Sequence, residues 1–215
     1  MNLGALLGSS GLLWSGLLLT VYLSAITIVT STVLGAVVGF VRASRVPGLS
    51  AILRIYVELF RGTPLLVQLL FIYFGAAYIG MGWVTTFIGA VVGLTLYEGA
   101  ICSEIFRAGV EAVPPAQHEA AHILGISKWD SAVRIIMPQA LRVTMPALIG
   151  QEISLVKDTS LAAVIGFAEL VNQSQAVIGN INQPMLVLTV VGALYFIICY
   201  PMSVGARRLE RKAAR

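Results

Sequence analysis

The sequence predicts an all-α membrane protein with five transmembrane helices, and three observations predict it. The 215 residues are 58% hydrophobic and 11% charged, with a mean hydropathy of +0.89, far outside the balance of a soluble domain. Five apolar runs are each long enough to cross a bilayer, for which about 20 residues suffice. Lys and Arg gather in the segments that five crossings would place on one side of the membrane. The whole chain, 1–215, therefore reads as a single transmembrane domain in contact with lipid. The net charge of +4 does not point to nucleic acid, because the basic residues cluster at membrane edges.

No Lys or Arg precedes Arg42, and a secretory signal needs a basic start, so the N-terminal apolar stretch is read as retained. The first span covers residues 12–40, and Arg42, Arg45 and Pro47-Gly48 follow it. The second, 50–76, is interrupted by Arg54, Glu58 and Arg61, and Gly80-Met81-Gly82 marks an uncharged turn beyond it. The third covers 84–110. A polar segment over 111–138 separates it from the fourth, 139–167. The nearly uncharged stretch ELVNQSQAVIGNINQ reads as a loop over 168–183, ahead of the fifth span, 184–206, and the tail RRLERKAAR is strongly basic. Positive charge marks the cytoplasmic side. That rule places the N-terminus outside and puts the 111–138 segment and the C-terminus in the cytoplasm.

Smaller signals fit this frame. Gly35/Gly39 and Gly89/Gly93 have the Gly-x-x-x-Gly spacing that permits close helix approach. Trp14 and Trp83 stand near the outer boundary, where amphipathic rings anchor. Cys102 and Cys199 lie in apolar runs and read as packed thiols.

The polar segment has its own punctuation. Pro114-Pro115 cannot continue a preceding helix. Residues 116–124 suit a short helix, which Gly125 is placed to end because it tolerates positive φ. Ser127 and Asp130 have a capping-box spacing that would start a second short helix, ending before Pro138. Two short helices between spans make a docking knob.

Here the residues carry a resemblance. Glu119-Ala120-Ala121, three residues, Gly125, nine residues, Ile135, one residue and Met137-Pro138 resembles the EAA loop of ABC-importer permeases, with Met137 where that family has Leu. The flanking EIFRAGVEAVPPAQ, KDTSLAAVIGFAEL and ELFRGTPLLVQL are similar to the polar amino-acid uptake subfamily, the histidine, glutamine and arginine permeases. The likeness spans Leu12 to Arg208 and implies a type I ABC-importer permease in a bacterial inner membrane. It implies a pathway formed with a second permease subunit, identical or sister, and an external substrate-binding protein that delivers a polar amino acid to the 168–183 region. It further implies a cytoplasmic ATPase dimer that receives Glu119, Ala120, Ala121 and Gly125, with Trp129, Asp130 and Pro138 flanking. The chain has no Gly-x-x-x-x-Gly-Lys-Ser/Thr of its own, so no cofactor is expected in it; ATP and magnesium would belong to the partner, and this chain would not itself be an enzyme.

The same loop contains His118-Glu119-Ala120-Ala121-His122, a literal H-E-x-x-H, in which two His one turn apart bind zinc and Glu activates water. The alternative it offers is an intramembrane zinc metalloprotease. Three points weigh against it. His118 and His122 are the only histidines, so a third ligand must be a carboxylate such as Asp130, Glu152 or Asp158. The motif lies in the polar loop, away from any bilayer-buried peptide. The surrounding glycine, prolines and spacing also go unexplained.

Charges inside the spans mark the candidate pathway. Arg61 would lie about 16 Å deep at helical rise, where an Arg costs at least about 3 kcal/mol and marks a functional cavity. Gly62-Thr63-Pro64 breaks the helix beside it, leaving backbone groups of the kind transporters turn toward charged substrates. Arg61, Thr63 and Gln68 thus receive a carboxylate, or Arg61 instead pairs with Glu58 to close a bundle. In the fourth span, Asp158, Thr159 and Ser160 follow Lys157. They would meet a substrate amino group, or Lys157 and Asp158 would neutralise Glu98 or Glu104; the resembling importers carry a similar patch beside their pathway. Glu98 is counted with the pathway set. Ser24 and Thr27, three apart on one face, line the same cavity or bond to their own backbone.

Overall fold

The computed structural model describes residues 8–44 and 47–213, with the side chains of all but His118 and residues 209–213. Arg45 and the end of the basic tail, both used above to assign the membrane side, lie outside the described residues. In chain order the elements are α1 (Ser10–Ala43), α2 (Leu49–Gly62), α3 (Leu65–Tyr78), α4 (Thr86–Glu111), α5 (Pro115–Ile123) and α6 (Lys128–Asp130). A π-helical turn (Ser131–Ile136), α7 (Met137–Asp158), a 3-10 segment (Thr159–Ile165), α8 (Leu170–Ile181) and α9 (Pro184–Ala213) complete the fold. No strand occurs among the described residues.

Four stretches are long and apolar enough to cross a membrane: Ser10–Ala43, Thr86–Glu111, Lys128–Ile165 and Pro184–Arg208. α2 and α3 meet the test only as a pair, bent by 110° where they join; counted as one span, they make five. The bend falls at Thr63-Pro64, both in extended backbone. A residue before proline is driven out of the α region, and the ring cannot donate to the preceding turn.

Small residues set the packing. α1 lies along α4, where Gly35 meets the side chain of Cys102. A Cβ added at Gly39 would stand 2.6 Å from the Ser103 carbonyl oxygen and 2.7 Å from Phe106 Cβ. Gly89 and Gly93 admit Tyr73 and Leu69 of α3 in the same way. Both Gly-x-x-x-Gly pairs thus serve contacts within the chain. One core gathers Leu23, Leu65, Leu69, Ala90, Leu94 and Leu155 from α1, α3, α4 and α7. A second, Leu13, Leu170, Val177, Val187 and Val191, ties the start of α1 to α8 and α9. Trp14 and Trp83 are exposed, as anchors require.

Two segments differ from the sequence expectation. The stretch read as a loop over 168–183 is mostly helix, because Leu170, Ser174, Val177, Ile178 and Ile181 recur at helical spacing and pack inward. Glu169 starts it, its carboxylate accepting from the N–H groups of Val171 (2.9 Å) and Asn172 (2.7 Å) and from the Tyr195 hydroxyl (3.0 Å). Burial pushes the Glu169 carboxyl above its ordinary value, and those three donors pull it back. The second short helix of the polar loop also does not end before Pro138. It passes through the π turn into α7, and Pro138 sits in the first turn of α7.

Candidate functional site

An acidic centre lies between α1, α4 and α7. Glu98 of α4 is fully buried, and its Oε2 accepts from Gln151 Nε2 at 2.8 Å. Glu152, the next residue on α7, accepts from Thr32 Oγ1 at 2.8 Å and from Cys102 Sγ at 3.8 Å. Gly99 allows this approach, since a Cβ there would stand 2.7 Å from Leu34 of α1. Asp158, at the end of α7, is close enough for its charge to act on Glu98, as Glu152's does, and the neighbouring Lys157 acts on Asp158 in turn.

The centre is under-satisfied. Glu98 Oε1 and Glu152 Oε2 are buried with no hydrogen-bond partner, as is Thr27 Oγ1. None of the three carboxylates makes an ion pair among the described residues. A buried carboxylate without a countercharge is costly, and an ionisable group inside a span marks a functional site. The acceptors left open fit an ammonium or other N–H donor.

Expected pathway residues divide between this centre and the helix break. Glu98 and Asp158 belong to the centre, and Thr159 is buried beside it, donating to the Val156 carbonyl at 2.8 Å. Ser24 bonds back to the Thr20 carbonyl at 2.7 Å, the backbone role allowed for it above, whereas Thr27 makes no such bond. Ser160 lines a separate cavity of ≈ 420 Å³ with Val164, Val171 and Gln175. Arg61 is half exposed at the break, and its guanidinium approaches Glu104 at 4.0 Å. It makes no ion pair with Glu58, so the pairing offered as its alternative does not form; Arg61 faces Glu104 of α4 instead. Tyr97, the residue before Glu98, is within the fields of Glu98, Asp158 and Arg61.

Thr63 and Gln68 close the break. Gln68 Nε2 donates to the Phe60 carbonyl (2.7 Å), the Thr63 carbonyl (3.0 Å) and Thr63 Oγ1 (2.7 Å), while Thr63 Oγ1 donates to the Leu59 carbonyl at 2.9 Å. One side chain thereby fills acceptors that Pro64 leaves open. Gln68→Leu is expected to cost about 1–3 kcal/mol of stability by stranding those carbonyls, read as a lowered melting temperature of the purified chain in detergent.

Sequence reasoning used Glu152 only as a possible zinc ligand and passed over Gln151. The rule that singled out Arg61, an ionisable residue inside an apolar run, also finds Glu152.

The polar loop presents a second surface. Glu119, Ala120 and Gly125 are exposed and Ala121 is buried. Gly125 has φ +70°, with its N–H on the His122 carbonyl (3.0 Å) and the Ile126 N–H on Ala121 (3.0 Å), a Schellman ending. Ile123 is 83% exposed, Leu124 75% and Trp129 77%, an apolar tip the sequence reading named only at Trp129. Ser127 caps α6, accepting from the Asp130 N–H at 3.0 Å, and Asp130 binds Arg134 at 3.2 Å. Pro138 is exposed at the start of α7. His122 is exposed, and among the described residues no three His, Cys, Asp or Glu side chains gather as a metal site; the zinc reading gains no support.

Comparison with known proteins agrees with this geometry. Residues 31–215 match the family described as binding-protein-dependent transport system inner membrane component. The chain is 38% identical over 203 residues to the probable glutamine ABC transporter permease protein GlnP of Bacillus subtilis (strain 168), covering 92% of each. It is 35% identical over 205 residues to the L-cystine transport system permease protein TcyB of the same organism, covering 95% of this chain and 87% of that protein. Among solved structures, a crystal structure of an amino acid ABC transporter with histidines superposes with a TM-score of 0.90 at 31% identity, over 99% of both chains.

Proposed function

The chain belongs to the family of binding-protein-dependent transport system inner membrane components, and from that premise we propose that it is the permease subunit of an ATP-driven importer of polar amino acids. The observation that carries this reading is the pair of buried carboxylates Glu98 and Glu152, each with an open acceptor and no ion pair among the described residues, with the half-buried Asp158 beside them. An amino acid's ammonium supplies what Glu98 and Glu152 lack, and Arg61 at the helix break is a counterpart for its carboxylate. Relatives named for glutamine and cystine support the substrate class.

Coupling follows from the other surface. Large apolar side chains exposed on a polar loop mark a protein contact, and Ile123, Leu124 and Trp129 form such a tip beside the EAA residues. A cytoplasmic ATPase dimer binds there, an external binding protein delivers substrate at the opposite end near α8, and a second permease completes the pathway. In this arrangement the N-terminus is outside and the C-terminus cytoplasmic. ATP-driven closure moves α5 and, through the π turn, α7, which carries Gln151, Glu152 and Asp158. The switch is a rigid-body one between two states.

The test is purification of the tagged chain from its own membrane in mild detergent, followed by ATP hydrolysis assays with single amino acids and binding protein. The expected result is a co-purifying ATPase stimulated by one polar amino acid. Stoichiometric zinc with no ATPase partner would overturn the reading.

A further inference from the structure

The ends of α1 and α4 and the start of α2 enclose a polar cavity of ≈ 680 Å³, lined by Arg42, Gly48, Ser50, Arg54, Arg107 and Glu111. It is separate from the acidic centre and from the apolar tip of the loop. Arg42 donates to Glu104 at 2.5 Å, and Arg107 pairs with both Glu104 (2.8 Å) and Glu111 (2.6 Å). Arg54 makes no ion pair among the described residues. Arg42 and Arg107 are thus held by carboxylates, whereas Arg54 brings an unpaired guanidinium to the cavity wall. Gly48 leaves open space in the lining: a Cβ added there would meet no described atom within 4 Å.

We propose that this cavity holds the phosphodiester headgroup of an anionic phospholipid. A guanidinium fork matches two phosphate oxygens, and basic pockets between spans at a membrane edge bind such headgroups. A lipid, rather than a free phosphate, is favoured by α2 itself. Leu49, Ile52, Ile55 and Leu59 stand exposed along it at helical spacing, an apolar track for acyl chains that begins beside the cavity. The headgroup bridges three helix ends and stabilises the edge from which the coupling loop departs.

The test is thermal denaturation of the purified full-length chain in mild detergent, titrated with dioleoylphosphatidylglycerol, dioleoylphosphatidylcholine or glycerol 3-phosphate. Phosphatidylglycerol is expected to raise the melting temperature, and the other two are not. Arg54→Gln should need about five-fold more phosphatidylglycerol for half the shift, the factor one basic residue supplies near an anionic surface. Arg54→Lys should retain most of the effect. Arg142→Gln, an equal loss of charge at another exposed site with no ion pair, should leave the titration unchanged. Equal shifts with phosphatidylcholine, or equal weakening by Arg142→Gln, would overturn the site. A shift reproduced by glycerol 3-phosphate alone would overturn the lipid as its occupant.

Discussion

Glu98→Gln is expected to lower amino-acid uptake by about ten- to a hundred-fold, because a charge-assisted hydrogen bond in a buried site contributes about 1.5–3 kcal/mol. The substitution keeps volume and still offers an oxygen to Gln151 Nε2, which now stands 2.8 Å from the carboxylate. What it removes is the carboxyl's capacity to ionise and to accept at both oxygens. Glu98 Oε1 accepts no hydrogen bond among the described residues, so its replacement breaks none there, and a buried carboxylate without a counterion is itself unfavourable. The melting temperature should therefore hold or rise while uptake falls. That opposite movement separates a substrate role from a structural one. The measurement is uptake of radiolabelled amino acid into proteoliposomes containing the whole transporter, with the variant's melting curve beside it. Wild-type uptake by the variant would remove Glu98 from the pathway, and a parallel loss of stability would return it to the core.

The sequence and the fold meet at local chemistry and part where the third dimension decides. The break at Gly62-Thr63-Pro64 is legible because proline and its predecessor restrict their own backbone. Its closure by Gln68 is not, since only the 110° fold-back brings that amide to the Phe60 carbonyl. Arg61 illustrates the same limit. A partner three residues away on one helix is visible in the sequence, but Glu104, on another helix, is nearer in space. α8 was legible in its apolar spacing, and its polar composition hid it. The π turn has no local signature: Ser131–Ile136 is held by the junction between a capped helix start and the first turn of α7. Of the acidic centre, Glu98 and Asp158 could be marked one span at a time. That Glu98 and Glu152 make no ion pair among the described residues could not, because that depends on which helix faces which.

Gly125→Asp is expected to abolish co-purification of the ATPase while leaving the chain inserted and folded. Gly125 adopts φ +70°, and a Cβ there would meet nothing within 4 Å, so no described atom resists the first carbon of the new side chain. The remaining internal cost is the left-handed backbone, which Asp bears more readily than most residues. The effect falls on the surface instead. The carboxylate enters beside Ile123 and Leu124, both largely exposed, and a charge buried without a partner at an interface centre costs several kcal/mol. Two further variants divide the causes. Leu124→Asp adds the charge without the backbone strain and should also release the ATPase; Gly125→Ala adds the strain without the charge and should weaken association only modestly, by about 1 kcal/mol. The assay is pull-down of the tagged chain from detergent extracts, with a melting curve for each variant. If Gly125→Asp and Leu124→Asp both retain the ATPase at wild-type yield, the apolar tip is not the coupling surface. If the ATPase is lost only together with the fold, the loop supports the chain rather than its partner.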